Sequence, residues 1–247
     1  MKRVTDIASV FRIQLMSMRS EAGPFLLAAL VFPAAMYLFS NAISGAGAEQ
    51  GDENHLRFLA GSIVFSLSLT SISWLGYLLL ENRFTGRLKL FATLPLAPSS
   101  YISGFLLFAL VQAALGTTTL LLLGRAMGAN VHPSIMPLAL VILLTVMCLC
   151  GFGVIIAARA RSFTEGSLLT DALGAGLVFL APVYYRPEIM PHGLREVSVW
   201  LPTAFAARAV ETTLAGGYKI GGQLVALGLM AAVTLALSFR LTKWRED

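Results

Sequence analysis

Long apolar runs alternate with short polar stretches along this chain. A helix needs about 20 predominantly apolar residues to cross ~30 Å of hydrocarbon. Six stretches reach that length: Pro24–Ser44, Phe58–Leu80, Tyr101–Leu123, Ile135–Ala158, Gly166–Tyr185 and Ile220–Leu241. The fifth is the weakest, because Asp171 falls about a turn and a half inside it. Ahead of the first run, Val4, Ile7, Phe11, Leu15 and Met18 recur three and four apart, while Lys2, Asp6, Arg12 and Arg19 fall largely elsewhere. Such spacing gathers the apolar residues on one face of a helix lying flat in the membrane interface. A helix packed on another subunit would show the same periodicity. Arg12, Arg19 and Glu21 interrupt the N-terminal stretch where a cleavable signal peptide would need its apolar core.

Two connecting stretches are unusual. "RPEIMPHGLREVSVWLPTAFAARAVETTLAGGYK", Arg186 to Lys219, is too long for a tight turn and moderately apolar throughout. Pro187, Pro191 and Pro202 divide it. "HGLREVSVWL" and "TAFAARAVETTL" then read as two short helices, the second capped by Thr203. Together they predict a helical hairpin that re-enters the outer leaflet, where irregular backbone survives only when buried in protein. Tyr184, Tyr185 and Trp200 suit the outer interface. The other stretch is "ENRFTGRLKLFATLPLAPSS", Glu81 to Ser100. Here Phe84, Leu88 and Phe91 fall at i, i+4 and i+7, with Leu90 and Leu94 beside them and Arg83, Arg87 and Lys89 as basic flanks. Pro95 ends the helix, because the residue before a proline is pushed out of the helical region. An apolar ridge with basic flanks can fill a groove on a partner protein; a basic interfacial helix without a partner has the same features.

Composition agrees with the pattern. Apolar residues make up 57% of the 247 and charged residues only 13%, half the charge of an ordinary soluble domain. The basic residues are unevenly placed. Lys2, Arg3, Arg12, Arg19, Arg83, Arg87, Lys89, Arg159, Arg161, Arg240, Lys243 and Arg245 fall on the side of both termini, against Arg57, Arg125, Arg186, Arg195, Arg208 and Lys219 opposite. That bias puts both termini in the cytoplasm and makes "GAEQGDENH" (47–55) external. It also accounts for the net charge of +5 without nucleic acid, for which no basic cluster interleaved with aromatics argues. Cys148 and Cys150 share one apolar run and read as small buried hydrophobes. Gly228, Ala232 and Ala236 on the last run, and Gly166, Thr170 and Gly174 on the fifth, are small residues four apart, a spacing that lets helices approach closely.

The chain carries little that could be catalytic. None of its lysines (2, 89, 219 and 243) follows the glycine pattern of a phosphate-cradling loop, so no intrinsic ATPase is expected. The apolar runs hold no histidine, and His55, His132 and His192 are scattered. An ion-coupled carrier keeps ionisable groups near mid-bilayer. Asp171 is the one clear acidic candidate, and it reads as a carboxylate near the cytoplasmic end that reaches the interface.

With these features in place, the chain resembles the permeases of ABC-2 type transporters. The likeness rests on Glu81–Gly104, on "GFGVIIAARARSFTEGSLLTDAL" after the fourth run, and on "LAPVYYRPEIMPHGLREVSVWLPTAFAARAVE". In that last stretch Val183, Tyr184 and Tyr185 stand where family members often carry serine or glycine. The resemblance implies an all-α integral membrane protein of one domain over 1–247. It would have an interfacial helix over 1–21, six transmembrane helices, a coupling segment over 81–100 and an external hairpin over 186–219. It further implies a second permease chain, identical or related, surrounding lipid, and a separate cytoplasmic ATPase that binds ATP and Mg; the chain itself would hold no cofactor or metal. Glu81, Arg83, Phe84, Arg87, Leu88, Lys89, Phe91 and Leu94 would form the contact with the ATPase. Pro182, Tyr184, Tyr185, Pro187, Pro191 and Pro202 would shape the external hairpin and gate. Export from the plasma membrane of a hydrophobic or amphipathic substrate follows, a drug or antibiotic first and a lipid or glycan-lipid next; an ion-coupled carrier or a channel without an ATPase is the alternative.

Overall fold

The computed structural model describes residues 2–17, 23, 30–45, 52–93, 97–185 and 190–241. Helices and their connections make up all of this, with no strand among the described residues. In chain order they are α1 (Lys2–Ser17), α2 (Phe32–Gly45), α3 (Asp52–Ser68), a π-helical turn (Leu69–Trp74), α4 (Leu75–Phe84) and α5 (Arg87–Thr93). Then follow α6 (Pro98–Ala126), α7 (Ile135–Arg159), α8 (Phe163–Leu180), α9 (His192–Ser198), α10 (Pro202–Leu214) and α11 (Gly221–Leu241). Five helices among the described residues are long and apolar enough to cross a membrane: His55–Phe84, Ser99–Ala126, Ile135–Arg159, Phe163–Leu180 and Gly221–Leu241. The first expected span is helical where it is described, in α2, while its residues 24–29 lie outside the described residues.

Two boundaries differ from the sequence reading. The second span is one continuous helix from Asp52 to Phe84, so part of the acidic stretch at 47–55 is helical. The fifth was expected over Gly166–Tyr185 but runs from Phe163 to Leu180. Its start is set by the tetrapeptide Ser162-Phe163-Thr164-Glu165. The Ser162 hydroxyl accepts from the Glu165 N–H at 3.1 Å, and Glu165 Oε2 accepts from the Arg161 N–H at 2.9 Å, a variant of the capping box. This start puts Asp171 ninth in an 18-residue helix, at mid-helix rather than near its start.

The second span is the hub of the bundle. Phe179 of α8 and Phe32 of α2 both approach Phe65, with ring centroids 6.0 and 6.2 Å away. Around the π-helical turn the fit is close. A Cβ on Gly153 of α7 would lie 3.0 Å from the Ser71 carbonyl oxygen and 3.1 Å from that of Ile72, and one on Gly174 of α8 would lie 2.7 Å from Ser73 Oγ. Ser68 donates to the Gly174 carbonyl at 2.7 Å. The stripe Gly166–Thr170–Gly174 is therefore buried against the second span. The stripe on the last span behaves differently: Ala232 and Ala236 are exposed, and nothing lies near a Cβ built on Gly228. Helix α11 instead turns Leu227, Ala231, Thr234 and Ser238 inward; Ser238 donates to the Gly151 carbonyl (2.9 Å) and Thr234 to that of Cys148 (3.1 Å). Cys148 and Cys150 are free and buried.

Helix α1 packs along α6, with Val10 fully buried and its Cβ and one methyl carbon filling the space a side chain on Gly104 would need. Val10 and Gln14 are buried against α6, while Leu15, on the face expected among acyl chains, is exposed. The face packed on α6 is thus a different one from the Ile7–Phe11–Leu15 line. The side chains of Val4 and Met18 lie outside the described residues.

Candidate functional site

The second span ends in a tight turn. Gly86 has φ +79°, a left-handed conformation that glycine adopts without a Cβ penalty, and the Gly86 N–H donates to the Arg83 carbonyl. This break matters for the expected ridge. Phe84 closes α4, whereas Leu88 and Phe91 belong to the separate helix α5. The i, i+4, i+7 alignment of the three residues therefore does not exist in space, since it assumed one uninterrupted helix.

Each side chain around the turn has a distinct place. Arg83 donates through Nη1 to the carbonyls of Ala157 (3.0 Å) and Ala160 (2.9 Å). Those carbonyls belong to the last turn and C-cap of α7, where helical partners have run out. The guanidinium thus ties the ends of the second and fourth spans together, with its carbon 5.3 Å from the Phe84 ring centroid. Glu81 and Arg87 form an ion pair of 3.3 Å across the turn. Leu88 and Phe91 pack against the chain's own core. The Phe91 ring lies 5.2 Å from Tyr101, and Tyr101 lies 4.9 Å from Phe105, so α5 is seated on the start of α6. Helix α5 turns Arg87, Lys89, Leu90 and Thr93 outward, with Phe84 beside them; Leu90 is 68% exposed and Phe84 42%. Leu94 and Pro95 lie outside the described residues. Below α5, a pocket of about 240 Å³ opens between it, α1 and α4, lined by Gln14, Asn82, Glu81, Arg87 and Phe91 among others.

The expected hairpin residues gather at the other end of the bundle. Pro182 and Val183 follow the end of α8. Tyr184 lies over Gly61, where a Cβ would come within 2.8 Å of its ring, and burial raises the phenol above its ordinary value. Tyr185 donates to the Phe179 carbonyl at 2.6 Å. Pro191 immediately precedes α9, Pro202 is the first residue of α10, and Pro187 lies outside the described residues. Thr203 is not the cap expected of it. The N-cap position is Leu201, and the Thr203 hydroxyl donates to the Leu177 carbonyl of α8. A tertiary acceptor won over the local one. Helix α10 is largely buried against the second, fourth and last spans. The His132 and Ser134 N–H groups donate to the carbonyls of Leu214 and Thr213, and Glu211 pairs with Arg57 at 3.3 Å. Arg208 reaches the Val199 carbonyl (2.7 Å), joining α10 to the end of α9. Trp200 is 71% exposed.

A short helix held at one end of an apolar bundle and a helical pair folded into the other is the arrangement to be matched with known families. Residues 6–214 match the family described as ABC-2 type transporter. The chain belongs to the ABC-2 type transporter family. No curated protein matches the chain. As an ABC-2 membrane component, the protein is a multi-pass membrane protein and a part of a transporter. The two features that sequence reading missed in this ABC-2 chain are the break at Gly86 and the Arg83 tie. The first was legible in the glycine that follows Phe84-Thr85; the second had no local signal, because its acceptors lie more than seventy residues away.

Proposed function

We propose that this chain is the permease subunit of an ATP-driven exporter, six-spanning with both termini in the cytoplasm of a plasma-membrane-bounded cell. A separate ATPase carrying ATP and Mg docks on α5, two permease chains pair, and a hydrophobic or amphipathic molecule leaves beneath the α9–α10 hairpin. The observation that carries this reading is α5 itself. It is a short helix outside the spans, anchored by Leu88 and Phe91 inside and presenting Leu90, Lys89 and Phe84 outside. The Glu81–Arg87 pair and the Arg83 tie link it to the second and fourth spans, so a push on α5 reaches two membrane helices at once. This revises the expected docking ridge: Phe84 stays, and Leu90 takes the place of Leu88 and Phe91 as its apolar partner. The placement of basic residues supports the same reading, since six spans would put both termini and α5 on the ATPase side.

Purification of the chain alone and with an ATPase encoded beside it provides the test. The chain alone is expected to hydrolyse no ATP, and the pair to co-purify and hydrolyse it. ATP turnover by the chain alone, or substrate accumulation driven by an ion gradient without the ATPase, would overturn the proposal.

A further inference from the structure

The pocket below α5 contains a buried polar side chain without a partner. Gln14 stands one turn beyond Val10 on the same face of α1, is 7% exposed and lines this space of about 240 Å³. Among the described residues nothing hydrogen-bonds its amide. That group carries two donors and an acceptor, and buried amides are ordinarily satisfied. Asn82, 5% exposed, lines the same space from the end of α4, beside the Tyr101 phenol. The remaining polar walls are charged: Glu81 and Arg87 reach the pocket from α4 and α5 as the 3.3 Å ion pair. That pair engages Arg87 Nη1 and Glu81 Oε1, which leaves further guanidinium donors and the second carboxylate oxygen to a ligand. At about 30 Å³ per water, the space admits a polar group of several atoms.

The two charges decide what that group is. An anion drawn to Arg87 meets the Glu81 carboxylate, and a cation drawn to Glu81 meets the guanidinium. A ligand of one sign therefore loses on one wall what it gains on the other. A group carrying both signs meets both walls favourably. The opening of the pocket is apolar: Ile13 lines it at 45% exposure, and Leu15 and Met16 beside it on α1 are exposed as well. A soluble zwitterion gains nothing from such a rim, whereas a lipid lays its acyl chains on it. We propose that the pocket between α1, α4 and α5 binds the headgroup of a zwitterionic phospholipid with a primary ammonium. The ammonium faces Glu81, the phosphodiester faces Arg87, and the Gln14 amide donates to a phosphate oxygen. A choline headgroup has no N–H to give to Glu81, and an anionic glycerol headgroup has no cation. The site does not depend on an ATPase and goes beyond the exporter reading.

Native mass spectrometry of the purified full-length chain, released from detergent, provides the test. Three lipids with matched dioleoyl chains are titrated: phosphatidylethanolamine, phosphatidylcholine and phosphatidylglycerol. The wild type is expected to bind the ethanolamine lipid about tenfold more tightly than either other, the scale of one hydrogen bond to a charged group. Gln14→Leu, of similar size but without the amide, should erase that preference and leave the other two affinities unchanged. Glu81→Gln, on the opposite wall, should erase the preference for ethanolamine over choline, so the outcome does not hang on the folding of one variant. Phosphoethanolamine without acyl chains should not displace the lipid at millimolar concentration; displacement would overturn a lipid as the occupant. A wild-type chain that ranks the three lipids equally, or Gln14→Leu weakening all three alike, would overturn the site.

Discussion

Replacement of Leu90 separates docking from folding. The side chain is 68% exposed, so seating α5 in a groove would remove about two-thirds of it from water. Full burial of a leucine contributes about 1.5–3 kcal/mol, and two-thirds of that is about 1–2 kcal/mol. At 1.4 kcal/mol per tenfold, Leu90→Ala should raise the Kd for the ATPase about five- to thirtyfold. Leu90→Asp should do worse, because the carboxylate must also be desolvated in the groove. Neither change should unfold the permease, since nothing in its own core depends on the exposed part of this side chain. Leu88→Asp is the informative contrast. Leu88 packs against the core, so its replacement by a charge should destabilise the chain itself and lose binding for that reason. The assay is titration of the ATPase onto purified permease in nanodiscs, with thermal unfolding of each permease variant recorded alongside. Wild-type affinity in Leu90→Asp, with the protein folded, would refute the placement of the contact on the outer face of α5.

Two further changes test the links from α5 into the bundle. Arg83→Met removes both hydrogen bonds to the Ala157 and Ala160 carbonyls and should lower stability by about 2 kcal/mol, the scale of a charge-assisted bond; Arg83→Lys should restore little, because one ammonium lacks the planar fork. An unchanged melting temperature in Arg83→Met would remove the tie from the account. Gly153→Ala places a methyl 3.0 Å from a backbone oxygen at the π-helical turn and should cost about 1–3 kcal/mol as an overpacked contact, whereas Gly228→Ala meets nothing and should fall within about 0.5 kcal/mol of wild type; equal melting temperatures for the two would refute the close fit of the second and fourth spans.

Several features of the fold were legible because the membrane constrains sequence strongly. Backbone groups in hydrocarbon must be satisfied within a helix, so run length alone located the five long apolar helices near their observed places. The prolines did the same for α9 and α10, since Pro191 and Pro202 stand at the starts of those helices. The start of α8 was legible as well. Ser162 and Glu165 carry the capping signal, but apolar run length passed over it and misplaced Asp171 by about a turn.

The sequence by itself determined that this chain is helical, apolar and punctuated by a short basic segment, because those properties belong to stretches of residues and need no neighbour. Only the tertiary structure decided which face of each helix is used. Leu88 and Leu90 are the same residue two positions apart on α5, and the start of α6 with Tyr101 decides that the first is inside and the second outside. Likewise Gly174 and Gly228 have the same chemistry, yet one admits the second span and the other meets nothing. A helix has a fixed periodicity but no fixed rotation about its own axis. That angle is set by the helices packed around it, whose positions depend on contacts far apart in the chain.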